Sequence, residues 1–345
     1  MPRQLLGVGT TDFGLYEYEE PELKPDQIRV RSEFTAAKHG TELAGRKGYA
    51  AHRGRFDRER GLFEMPQRAA PPAKGTPGGA GNMTVGTITE AGAEVEGLAV
   101  GDRVLIHGGF RQTHTRPAKG VWKIPAGLSA ASAVCLDPAD FAMGAVRDGH
   151  IRVGDNVAVF GTGAIGLMAV QLARLAGAAM VIAADPLPTR RALAGRLGAD
   201  LLLDPTACDA GLELKKATGW RGVDVAIDYS GVVAAMQACL RGVAYGGNVV
   251  AGAFPAPYAA GLDLGAESHQ YIPNIVFTRS CSEPNRDYPR WDEKRILETC
   301  LAWLIDGRLT GEGVVTPVVR FEDLPTEFPK IVTEPDTYIK IGATY

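Results

Sequence analysis

VGDNVAVFGTGAIGLMAVQLARLAGAAMVIAAD, residues 153–185, is the stretch whose reading decides the fold. Val157, Ala158, Val159 and Phe160 form a short apolar run between Asp155-Asn156 and Gly161, the pattern of a strand buried in a parallel sheet. Gly161-Thr162-Gly163-Ala164-Ile165-Gly166 follows directly. The three glycines have separate tasks: Gly161 makes the tight turn, Gly163 lets backbone amides approach a pyrophosphate, and Gly166 lets the next helix pack on the strand. Good helix formers from Leu167 to Ala176 place unpaired N–H groups and a positive dipole end behind that loop. Residues 181–184 read as the second strand, and Asp185 follows nineteen residues after Gly166. A carboxylate at that strand tip accepts both ribose hydroxyls of an adenosine and repels a 2′-phosphate, so the sequence favours NAD over NADP. Arg190 and Arg191 lie close behind as groups able to hold a phosphate. Gly252 and Ala253, after the apolar pair Val249-Val250, stand at a strand end suited to flank a nicotinamide.

Length and composition bound the rest. A chain of 345 residues exceeds one ordinary core, so two domains are expected. With 45% hydrophobic and 22% charged residues the composition is that of a soluble globular protein. Lys and Arg total 37 against 40 Asp and Glu, a net charge of −3 that argues against a general nucleic-acid surface. Cys135, Cys208, Cys239, Cys281 and Cys300 are odd in number and include no CxxC pair, which reads as reduced thiols of a cytoplasmic protein. No apolar run approaches 18 residues, so neither a secretion signal nor a membrane span is expected.

Outside the central stretch, residues 27–32 (QIRVRS) alternate with period two, as a half-exposed strand does. Gly40-Thr41 breaks that strand before Glu42 and Leu43 begin a helical turn. Residues 46–80 carry Arg46, Lys47, Arg53, Arg55, Arg58, Arg60 and Arg68 against Asp57, Glu59 and Glu64. We read this as a long basic loop, a solvated or oligomer-facing arm in preference to a pocket for an anionic substrate. Strands are expected at 85–89 and 102–106, helices over 130–147, and alternating strands and helices at 200–203, 223–227, 236–240 and 247–251, which gives a parallel sheet. Residues 291–305 form an amphipathic helix stopped by Gly307, and 314–345 return to strand-like pieces.

With VGTITEAGAEVEGLAVGDRV before the glycine motif and GADLLLDP after it, the chain resembles the medium-chain dehydrogenase/reductase superfamily of the alcohol dehydrogenase type, over nearly its whole length. The resemblance implies an α/β protein: a GroES-like β domain plus an inserted Rossmann doubly wound parallel-sheet domain, with a substrate cleft between them. The expected limits are 1–130 and 286–345 for the β domain and 131–285 for the NAD-binding insertion. It also implies a homodimer or homotetramer, often through the last strand of the nucleotide domain near residues 275–278.

The departures bear on the chemistry. Where metal-dependent relatives place a zinc cysteine, this chain has His39, in Lys38-His39-Gly40-Thr41-Glu42. The Gly-His-Glu block has become Gly81-Asn82-Met83, and the third ligand position falls near Asp137. A zinc site needs three good protein donors, and neither asparagine nor methionine supplies one, so no metal is expected. The metal alternative is a rebuilt site of His39, Asp137 and one of His52, His107 or His114. Without zinc a side chain must take the hydroxyl proton as hydride leaves. His39 is the first choice as base, Lys38 its rival, Thr41 the proton relay of the family, and Asp137 a group to orient His39 or accept a substrate hydroxyl. The resemblance places Tyr288, Arg290 and Trp291 along the cleft, whereas an aromatic heading a helix by itself reads as simple packing.

The expected activity is NAD-dependent, zinc-independent hydride transfer between nicotinamide and a secondary alcohol or ketone of a polar sugar- or cyclitol-like substrate. The rivals are a zinc-free quinone or enoyl reductase and a catalytically silent nucleotide-binding subunit.

Overall fold

The strand Asn156–Phe160 lies inside a six-stranded, fully parallel sheet in the order Leu201–Leu203, Met180–Ala184, Asn156–Phe160, Val223–Asp228, Val243–Ala251, Asn274–Phe277. The structure, a computed structural model, describes residues 1–46, 56–57, 59–63, 77–258, 260–279, 281–282 and 284–345. Counted along the chain the strand order is 3-2-1-4-5-6, that of a dinucleotide-binding fold. It reverses beside Asn156–Phe160, and in open sheets of this kind ligands bind outside the carboxyl strand ends at such a reversal. Side chains alternate faces along each strand. Ala158, Phe160, Ile182 and Ala226 pack with Leu214 of the helix Ala210–Ala217 and with Met236 and Leu240 of the helix Val233–Gly242. The opposite face, with Val225 and Val250, meets Gly149 at the end of the helix Leu136–Asp148.

Residues fall into two compact units, Ala131–Val314 around this sheet and Met1–Ala130 with Val315–Tyr345. The sequence put the end of the nucleotide-binding insertion at residue 285, whereas the unit continues to Val314. The reason is the helix Glu293–Ile305, capped by Asp292 Oδ1 on the Arg295 amide at 2.7 Å. It buries Ile296, Cys300, Leu301 and Leu304 and packs on Leu136–Asp148. Gln171 then binds both backbone groups of Thr310, at 3.1 and 3.0 Å, and holds the following turn to the same unit.

In the other unit the strand Gln27–Ala36 is central. Met83–Ala91 pairs antiparallel along one edge, and Thr113–Pro117 and Gly342–Thr344 along the other. It is therefore more buried than its alternation suggested: Ile28 and Val30 are fully buried, and Arg29 is 9% exposed. Glu90 at 2.7 Å and Glu20 at 3.3 Å pair with the Arg29 guanidinium, which lets a charge lie in that position. The tail is less strand-like than expected. Between the strands Val318–Arg320 and Gly342–Thr344 it makes three short helical segments, whose Phe321, Leu324, Phe328 and Ile331 pack with Leu5 and Phe110. The basic stretch 46–68 falls largely outside the described residues.

Gly166 is held by a steric constraint, because a Cβ there would lie 2.0 Å from the Gly161 carbonyl oxygen, whereas one at Gly163 would meet nothing closer than Arg190 at 3.8 Å. Gly166→Val is expected to lose about 1–3 kcal/mol in urea unfolding. Gly163→Ala, measured in the same way without cofactor, should stay close to the parent.

Candidate active site

The carboxyl ends of the central strands bring the predicted nucleotide-binding residues together. Gly161 has φ +82°, donates its amide to Ala184 O at 2.8 Å, and has no room for a Cβ, which would sit 2.5 Å from the Ser230 nitrogen. The helix Ala164–Leu175 starts from Gly163 with no side-chain capping bond, so its first amides face outward at a positive dipole end. Beside them Thr162 is fully buried, and its hydroxyl has no hydrogen-bond partner among the described residues. Ala164, Ile165 and Gly166 form the first turn behind the loop.

Asp185 is 2% exposed. Its two carboxylate oxygens accept from the Thr162 amide at 2.7 Å and the Leu187 amide at 2.9 Å, which ties the glycine loop to the next strand end. Each oxygen keeps a second lone pair for a ribose hydroxyl. Of the two arginines, Arg190 lies beside Gly163. Arg191 pairs with Asp204 at 3.1 Å and donates to Asp185 O at 2.7 Å.

A third strand end completes this edge and was missed from sequence. Asp228, 1% exposed, accepts from the Ser230 amide at 2.8 Å and hydroxyl at 2.6 Å, and burial raises its carboxyl above the usual range. Its carbonyl accepts from Gly252 and Ala253 at 3.0 and 3.1 Å, fixing the residues expected to flank nicotinamide. The available signal was an acid at the end of the apolar run 223–227, followed by Ser230-Gly231.

In the other unit Lys38 precedes, and His39 and Glu42 lie in, the helix His39–Arg46. His39 Nε2 accepts the Ile341 amide at 2.9 Å. A nitrogen that accepts carries no proton, so the neutral ring holds its hydrogen on Nδ1. Glu42 Oε1 accepts from the Gly81 amide at 2.9 Å and the Lys38 amide at 3.4 Å. Lys340, 2% exposed, donates to Ala37 O at 2.6 Å, so two consecutive residues of the tail are tied to 37–39. Thr41 is in the same helix, and its side chain lies outside the described residues. Asp137 belongs to the nucleotide-binding unit, in the first turn of Leu136–Asp148, and is 7% exposed.

The remaining candidates have structural partners. The His107 ring packs edge-on against Trp122 at 5.5 Å. His114 is 8% exposed, and burial first, then Arg111 and Arg116, push its pKa down to about 3. His52 lies outside the described residues. Met83 is fully buried, and Asn82 bonds through its backbone to Ala36. Among the described residues no group of three or more His, Cys, Asp or Glu side chains is placed to hold a metal ion. Trp291 packs against two guanidinium groups, Arg147 at 3.8 Å and Arg295 at 4.2 Å from its ring. No helix among the described residues is long and apolar enough to cross a membrane.

The profile of the zinc-binding dehydrogenase family matches residues 164–267. D-guloside 3-dehydrogenase of Escherichia coli K12 is 42% identical over 351 aligned positions, covering 99% of this chain and 100% of that protein. Among solved structures, 2R,3R-butanediol dehydrogenase from Bacillus subtilis superposes with a TM-score of 0.78 at 21% identity, covering both chains fully. An Escherichia coli CFT073 structure described as a short chain alcohol dehydrogenase complexed with NADH gives 0.77 at 19% identity, covering 100% of this chain and 99% of that one.

The buried His114 has a pH consequence. Its folded pKa lies near 3 against an ordinary 6.5, so the unfolded chain binds the proton first. Stability from this group is intact above pH 6.5 and falls by up to about 1.4 kcal/mol per pH unit between 6.5 and 3. Urea unfolding of His114→Gln at pH 7, 5 and 4 is expected to show a shallower decline than the parent protein.

Proposed function

The chain belongs to the medium-chain dehydrogenase/reductase family of zinc-type alcohol dehydrogenase-like proteins, and from that premise we propose that it is an NAD-dependent dehydrogenase of sugar-like secondary alcohols that works without zinc. The observation that carries the cofactor assignment is the outward-facing helix start at Gly163 with Asp185 bonded beside it. The amides at that start hold a pyrophosphate, Asp185 accepts the ribose hydroxyls and disfavours a 2′-phosphate, and Arg190 borders the same loop. A bound nicotinamide ring supplies the hydride acceptor. Gly252 and Ala253 flank it with minimal side chains.

The donor set does not fit a zinc ion. His39 Nε2 is committed to the Ile341 amide, and Asn82 and Met83 offer neither imidazole, thiolate nor carboxylate. Proton removal therefore falls to side chains. By residue type we assign His39 to positioning the substrate oxygen and the Lys38 amine to accepting the proton. The polar set Lys38, His39, Glu42, Asn82 and Asp137, together with full-length similarity to a dehydrogenase acting on D-gulosides, supports a polyhydroxylated substrate. The edge strand Asn274–Phe277, with Ile275 41% and Phe277 71% exposed, supports pairing with a second copy into a homodimer.

Two measurements test this. NADH should bind at least about tenfold more tightly than NADPH in fluorescence titrations, a gap of about 1.4 kcal/mol from Asp185 alone. In steady-state oxidation of methyl glycosides, Lys38→Met should lower kcat about 10²-fold or more, while His39→Gln lowers kcat less. The reverse pattern would return the base to His39.

A further inference from the structure

At the opposite end of the parallel sheet from the glycine loop, the nucleotide-binding unit holds a cavity of about 480 Å³. Residues 150–152, which lead into the strand Asn156–Phe160, form one side, and the C-terminal ends of Leu136–Asp148 and Ala164–Leu175 form the floor. The size lies within the usual range for small-molecule sites. Its floor is apolar, with Met143, Val146, Leu172 and Leu175, and its rim is basic, with Arg147, Arg152 and Arg290 against the single carboxylate of Asp287.

The rim is built rather than incidental. The Arg147 guanidinium lies 3.8 Å over the Trp291 ring and is ion-paired with Asp287, which fixes its position. Arg295 lies over the same ring at 4.2 Å. Arg290 is 80% exposed and reaches Asp287 only at 3.9 Å. Arg152 is exposed, and among the described residues no carboxylate pairs with its guanidinium. His150, also lining the cavity, has φ +57°, a conformation in which glycine is the default. The two helix C-termini contribute about one negative charge between them, and Asp287 a second, which leaves about one positive charge unmatched.

We propose that this cavity binds an amphipathic monoanion, a small carboxylate with an aliphatic tail, whose tail lies on Met143, Val146, Leu172 and Leu175 and whose charge meets Arg152 and Arg290. The sequence Asp287-Tyr288-Pro289-Arg290-Trp291, which the dinucleotide site does not use, is thereby given a role.

The test is a tryptophan-fluorescence and calorimetric titration of the full chain, saturated with NADH, with decanoate, decanol and decyltrimethylammonium as probes. The expected result is saturable binding of one decanoate per chain and of neither other probe. Arg152→Glu combined with Arg290→Glu should weaken decanoate at least about tenfold, with an unchanged melting temperature. Both arginines are exposed, so the fold does not depend on them. Equal binding of all three probes would show a groove indifferent to charge and overturn the proposal. So would the absence of saturable decanoate binding, or undiminished binding in the double variant.

Discussion

The bond from the Thr162 amide to the buried Asp185 carboxylate is the interaction on which the nucleotide-binding unit depends. It joins the turn after the first strand to the tip of the second, and the Leu187 amide takes the other oxygen of the same carboxylate. A buried carboxylate without such donors would be costly, so these two amides and the charge specify each other. The turn can lie this close only because Gly166 brings the helix Ala164–Leu175 against the Gly161 carbonyl with no side chain between them. One carboxylate and one missing methyl group thus aim a helix N-terminus outward at the point where the strand order reverses.

The rest of that edge follows from the same requirement. Asp228 repeats the device one strand over, turning its carboxylate back onto Ser230 and Gly231 while its carbonyl holds Gly252 and Ala253. Three strand ends are fixed by acids bonded to backbone amides or by backbone alone, which makes the edge rigid before any ligand arrives. In the other unit the same economy ties the tail to the start of the first helix, with Lys340 on Ala37 and Ile341 on His39.

The nucleotide-binding core was legible in the sequence because its signals are local. A parallel strand is a short apolar run, a phosphate loop is a glycine spacing, and the acid at the strand tip falls at a fixed remove. What was not legible depends on partners distant in sequence. Gln171 with Thr310 moves the second boundary from 285 to 314, across 139 residues. The buried charge of Arg29 is set by Glu90 and Glu20, which no period-two pattern reveals. In the candidate site the residue types were readable, but the protonation pattern of His39 was not, since it comes from the Ile341 amide 302 positions away. For Trp291 both cleft lining and packing stood open, because an aromatic at a helix start looks the same in sequence whether its ring meets substrate or guanidinium groups.

We propose that a dinucleotide seated at the Gly161 turn and ordinary side chains around Lys38 and His39 carry out hydride and proton transfer with no metal ion. The most direct measurement is the metal content of purified, turning-over protein before and after dialysis against a chelator. Less than about 0.1 zinc per chain and unchanged turnover after chelation are expected. One zinc per chain, with turnover lost on its removal and restored on its return, would contradict it.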